Sequence, residues 1–144
     1  MTQSADSMPS APLRVLVVDA LSVSREVIRL MLEPLGLQVH EAGGGAEAIR
    51  TCGQTAFDVV LMDVAMPGMD GLQAAREIRA TSVPNHGVPI IGLTADETTE
   101  ATAACRAAGM NDVLAKPVMA RELLAKVSRW GHAVESVEQA RRMA

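Results

Sequence analysis

Apolar residues fall along the chain in two rhythms, blocks and stripes. Blocks of branched aliphatics occupy residues 13–19 (LRVLVVD), 57–63 (FDVVLMD), 88–94 (VPIIGLT) and 112–115 (DVLA). Runs without alternation are the pattern of strands buried on both faces. The stretch 37–42, LQVHEA, alternates instead, as a half-exposed edge strand does. Helical stripes lie between the blocks. Ser22 stands as the cap of a helix to about Leu35, with Val23, Val27, Ile28 and Met31 on one face and Pro34 and Gly36 closing it. A short helix over 46–53 follows a Gly-rich turn, and Asp70 and Gly71 open a helix carrying Leu72, Ala75 and Ile78. An Ala-rich helix over 96–108 stops at Gly109, and a last helix over 119–130 uses Leu123, Leu124, Val127 and Trp130.

Five strands interleaved with five helices predict an α/β domain, its parallel sheet covered on both faces. Right-handed crossovers leave few topologies, and the binding crevice of such a sheet lies beyond the carboxyl ends of its strands. Asp19, Asp63, Thr94 and Lys116 all stand at such ends. Each has an ordinary reading alone. Asp19 can cap the following helix, and Asp63 can brace the turn-rich loop DVAMPGMDG. Thr94 with Glu97 forms a T-x-x-E capping box for the fourth helix, and Lys116 before Pro117 can be a solvated lysine. Together at one sheet edge they form a phosphoryl-acceptor site. A carboxylate nucleophile needs a cation to tolerate an anionic phosphoryl group, and Mg²⁺, held by one or two carboxylates and several waters, suits that need. A lysine and a hydroxyl then match the phosphoryl oxygens.

Composition narrows the partners. The chain has one Phe, one Trp and no Tyr, so no aromatic surface exists for stacking bases. A net charge of −4 likewise argues against nucleic acid. Cys52 and Cys105 match no metal or redox spacing and read as reduced thiols of a cytoplasmic protein. No apolar stretch has the length of a membrane span, and no membrane partner is expected. The Ser/Pro-rich residues 1–12 read as a disordered tail rather than a signal peptide.

The segments VLVVDA, FDVVLMDVAMPGMDG, PIIGLTA and DVLAKP resemble the receiver domain of bacterial two-component response regulators over about residues 13–130. The resemblance implies a flavodoxin-like doubly wound (βα)5 fold with strand order 2-1-3-4-5, over a receiver domain at 13–131. It implies Asp63 as phospho-acceptor, Thr94 as the hydroxyl that senses the phosphoryl group, and Lys116 as its ion-pair partner. It places Asp19, Asp63 and the Ala65 carbonyl around Mg²⁺, with a cis bond before Pro117. The expected partners are a histidine kinase or histidine phosphotransferase and a downstream protein target. The expected chemistry is self-catalysed phosphorylation and dephosphorylation of Asp63, not that of an enzyme.

Two positions depart from the family pattern. Ala20 replaces the usual second acid, which weakens the expected Mg²⁺ site unless Asp19 shifts inward to substitute. Val113 replaces the aromatic that swings inward on activation, so a switch must act otherwise. The fourth helix, poor in large side chains, is the candidate. Ala20 and Val113 together suit an alternative, a pseudo-receiver that docks partners without being phosphorylated. A remote alternative comes from GGGAEA (43–48), a G-x-G-x-x-A match to a dinucleotide fingerprint, although it follows the edge strand instead of a central one. Residues 132–144 are too few for a DNA-binding or catalytic domain, so the expected protein is a stand-alone receiver or a piece of a hybrid kinase. Val134, Val137 and Ala140 lie at helical spacing, and the segment reads as an extension of the last helix, as a stretch that docks on a partner, or as a frayed, solvated end.

Overall fold

A computed structural model describes residues 12–81 and 85–143, with side chains described up to residue 131. The elements alternate as the hydrophobic pattern predicts: β1 (Arg14–Val18), α1 (Ser22–Leu32), β2 (Gln38–Ala42), α2 (Gly45–Cys52), β3 (Val59–Asp63), α3 (Gly71–Thr81), β4 (Ile90–Thr94), α4 (Thr99–Ala107), β5 (Asp112–Ala115) and α5 (Ala120–Met143). The strands form one parallel sheet in the order β2-β1-β3-β4-β5. This is the flavodoxin-like arrangement. The expected tail at 1–12 falls, except for Pro12, outside the described residues.

The period of two along each buried strand builds two cores. Leu16, Val18, Val60, Met62 and Ile90 face Ala48, Cys52, Ala74, Ala75 and Ile78 of α2 and α3 on one side. Val15, Val17, Leu61, Ile91 and Leu93 face Ile28 and Leu32 of α1 and Leu123 and Val127 of α5 on the other. Both layers are aliphatic, as a chain almost without aromatics requires.

Several expectations need correction. Ser22 is not a side-chain cap: it opens α1 behind Leu21, and no side chain caps that end. α1 stops at Leu32, and Glu33–Leu35 tighten into a 3-10 turn that Gly36 closes with φ +92°. The buried face of α1 is Ile28 and Leu32, whereas Val23 is 70% exposed and Val27 44%. Val23 and Val27 instead line a cavity that reaches Asp19 and Lys116. The capping box at Thr94 does not form. Thr98 caps α4 by accepting from the Ala101 amide, and α4 therefore begins three residues later than predicted. Phe57 lies outside the strand but is buried. Beyond Gly131 the backbone continues as helix to Met143.

Candidate functional site

The register of the sheet brings the predicted residues together. β1 pairs with β3 through Val18 and Met62, so the next position on each strand is an aspartate, Asp19 and Asp63. Thr94 ends β4, and the Lys116 amide donates to the Thr94 carbonyl at 2.9 Å just past the end of β5. The peptide between Lys116 and Pro117 is cis, as the resemblance implied.

Each aspartate divides its two oxygens. Asp19 Oδ1 accepts from the Leu21 amide at 3.0 Å, and Asp63 Oδ1 accepts from the Ala65 amide at 3.2 Å. Asp63 thus braces its turn with one oxygen, while Asp19 accepts from the Leu21 amide and does not cap α1. The other two oxygens face the lysine: Lys116 Nζ lies 3.1 Å from Asp63 Oδ2 and 3.5 Å from Asp19 Oδ2. Asp19 is 1% exposed, and its Oδ2 has no hydrogen-bond partner. A buried carboxylate oxygen with an ion-pair contact but no hydrogen bond is incompletely compensated. Burial pushes the Asp63 carboxyl above its usual range and the Asp19 charge adds to this, against the pull of Lys116 and the Ala65 amide. One ammonium is shared between two buried carboxylates, which leaves the centre with excess negative charge.

Thr94 is at the site but turned away from it. Its hydroxyl donates to the Asp96 carbonyl at 2.9 Å and accepts from the Asp96 amide at 3.0 Å. A cavity of about 290 Å³ opens between Asp63, Ala65, Thr94, Asp96 and Lys116. A second, of about 210 Å³, runs from Asp19 and Lys116 under Val23, Val27 and Val118.

Among the described residues no group of three or more His, Cys, Asp or Glu is placed to hold a metal ion. The oxygen donors the structure shows are Asp19 Oδ2, which has no hydrogen bond, and the Asp63 carboxylate, to which the resemblance adds the Ala65 carbonyl. These are hard oxygen ligands, and an ion that keeps several waters needs no more protein ligands than that. The residues fit Mg²⁺, with Ala20 contributing no ligand side chain.

Two residues escaped the sequence reading. Gly71 was legible only as turn punctuation. A Cβ there would stand 2.2 Å from the Asp63 carbonyl oxygen and 2.9 Å from Val64 Cα, so α3 can press its first turn against the acceptor loop only with glycine. Arg25 carried no signal beyond being a helix cation. Its Nη1 donates to the Asp19 carbonyl at 2.7 Å.

The profile of the response regulator receiver domain matches residues 15–128, and the chain belongs to that family. It is 40% identical over 119 residues to the sensor protein GacS of Pseudomonas syringae pv. syringae, a match covering 81% of this chain and 13% of GacS. It is 40% identical over 121 residues to the virulence sensor protein BvgS of Bordetella pertussis, covering 81% of this chain and 10% of that one. The chain thus spans a small part of these curated relatives. Among solved structures, the receiver domain of the sensor histidine kinase PA1611 from Pseudomonas aeruginosa superposes with a TM-score of 0.77 at 39% identity. That match covers 85% of this chain and 99% of the other, which holds a magnesium ion in its active-site cleft. The chemotaxis protein CheY4 of Vibrio cholerae gives 0.79 at 30% identity, covering 83% of this chain and 99% of CheY4.

Proposed function

We propose that this chain is a working phospho-acceptor of two-component signalling. A histidine kinase or histidine phosphotransferase presents a phosphohistidine, the N–P bond breaks, and an O–P bond forms at the Asp63 carboxylate. The observation that carries this reading is the sharing of Lys116 by Asp63 Oδ2 and by Asp19 Oδ2, the latter without any hydrogen bond. A site that only maintained the fold would have no reason to bury two carboxylates on one cation. Lys116 is positioned to neutralise the incoming oxygens, and Mg²⁺ bound at Asp19, Asp63 and the Ala65 carbonyl would supply further positive charge. Both the transfer and the later hydrolysis, in which water takes the phosphoryl group off as inorganic phosphate and frees the Asp63 carboxylate, use this chain's own groups, and we place it in the cytoplasm.

The donor has an apolar shelf beside the acceptor. Leu21, Val23, Val27 and Leu30 of the first loop and helix and Met119 after the cis proline are all exposed. Output begins at Thr94. To reach a phosphoryl group on Asp63 its hydroxyl must leave Asp96, which loosens the loop into α4, a helix that buries only Cys105.

A small phosphodonor tests the proposal. With Mg²⁺ the protein gains an alkali-labile, hydroxylamine-labile phosphoryl group, and Asp63→Asn gains none. Absence of a mass shift in the parent overturns the reading in favour of the pseudo-receiver, the alternative that Ala20 supports.

A further inference from the structure

Ala20 throws the whole flanking role onto Asp19, so what fixes Asp19 matters more here than in a site with two acids. Its backbone is held from both sides. The Asp19 amide donates to the Ala42 carbonyl at 3.2 Å, across the end of the β1–β2 ladder. Its carbonyl accepts from Arg25 Nη1 at 2.7 Å. Its Oδ1 is taken by the Leu21 amide, leaving Oδ2 as the free donor oxygen. Arg25 is the one side chain among these contacts. It is itself clamped, since Nε donates to Glu41 Oε1 at 2.7 Å while Arg29 Nη2 holds Glu41 Oε2 at 2.8 Å.

We propose that Arg25, tethered by Glu41, is a positioning residue that aims the unpartnered oxygen of Asp19 into the acceptor site and thereby sets its affinity for a divalent cation. This deepens the proposed function and rests on its metal site. The physical case is geometric. A guanidinium fork fixes two directions at once, so tying one nitrogen to the edge strand fixes the other against the Asp19 carbonyl. Rotation of the Asp19 peptide would swing Oδ2 away from Lys116 and Asp63. Groups that orient a ligand without touching the metal commonly alter metal affinity about 10- to 100-fold when removed. A bland reading competes: the Arg25–Glu41–Arg29 cluster is a partly exposed ion-pair network, which contributes little to stability and nothing to the site.

Isothermal titration calorimetry with Mg²⁺ on the full chain separates the two, with metal-free melting temperatures alongside. Trp130 fluorescence is a poor reporter because its Nε1 donates to Asp112, at the far end of β5. Arg25→Gln is expected to weaken Mg²⁺ binding about tenfold or more. Glu41→Gln is expected to weaken it less, and Arg25→Lys to recover part of the loss by reaching the carbonyl without the fork. Asp112→Asn, which breaks the charged cluster of Lys126 and Trp130 away from the site, is expected to lower the melting temperature and leave Mg²⁺ affinity unchanged. If the parent binds Mg²⁺ and Arg25→Gln binds it equally well, the positioning role is overturned alone. If the parent binds no Mg²⁺, the metal reading of the site fails and the positioning role falls with it.

Discussion

The two ends of the sheet treat buried polar groups in opposite ways. At the amino ends of the strands two buried or half-buried side chains, Asn85 and Arg79, are fully engaged. Asn85, 1% exposed, accepts from the Phe57 amide and donates to the carbonyls of Cys52 and Thr55. Arg79 donates to the carbonyls of His86, Val88 and Gly109 and to Asn111 Oδ1, which also accepts from the Ile90 amide. At the carboxyl ends Asp19 Oδ2 has no hydrogen bond, Asp63 is held above its ordinary range, and one lysine serves both. The first end ties loops together; the second stores unspent electrostatics. Burial of polar groups is common to both, so burial alone does not mark function. Nor does one unpartnered atom, since Arg29 Nε in α1 is buried without a partner too; the telling feature is two buried carboxylates on a single lysine.

The comparison is broken most forcefully at Asn85. Asn85→Ala strands the Phe57 amide and removes the donor of two carbonyls, a buried network whose loss costs about 3 kcal/mol or more. Urea midpoints should fall accordingly, while phosphodonor labelling of Asp63 in the folded fraction continues. Loss of labelling in that folded fraction would mean that the two ends are coupled, contrary to the division drawn here.

A smaller effect is expected in native-state hydrogen exchange. The loop at Thr94–Thr98 and α4 should exchange faster than β1, because α4 buries little apolar surface, and should change most on labelling of Asp63. Protection of α4 equal to that of β1 in both states would remove α4 as the moving part.

The sequence displayed the architecture well because non-alternating aliphatic blocks and an alternating edge strand admit few arrangements. It displayed Asp19, Asp63, Thr94 and Lys116 for the same reason, since each ends such a block. What stayed illegible was how each group is satisfied. Nothing in T-x-x-E distinguishes a cap from Thr94 bonding its own loop, because Thr98 offers the same hydroxyl four residues later. The apolar letters of α1 do not say that Val23 stays in water, a matter of how the helix sits on the sheet. Arg25 and Gly71 act through backbone atoms, the Asp19 and Asp63 carbonyls, and backbone partners leave no trace in residue type. The spacing of the two thiols showed no metal or redox motif, and burial carries Cys52 up to about 11.

The gentlest test concerns the sign of the charge stored at Asp63. Its carboxyl is raised in the folded protein, by burial first and then by Asp19. The folded state therefore binds that proton more tightly than the unfolded chain does, and the ionised carboxylate costs stability above its folded value. That cost is relieved as pH falls through the folded value, the reverse of a carboxylate whose partners lower it. Asp63→Asn keeps the shape and removes the charge, so it should raise the melting temperature at neutral pH even though it abolishes labelling. The gain should shrink as pH falls through the carboxylate range. Asp112 supplies the contrast. Burial would raise it, but Trp130, Lys126 and the Val113 amide outweigh that and hold it below its ordinary value. Its contribution is therefore complete above the unfolded value of about 3.9 and is lost as pH falls below it. Asp112→Asn should thus lower the melting temperature at neutral pH while Asp63→Asn raises it, an opposition read directly from paired thermal melts. Destabilisation by Asp63→Asn at neutral pH would show that Lys116 fully compensates the carboxylates, and the contrast between the two ends of the sheet would lose its energetic basis.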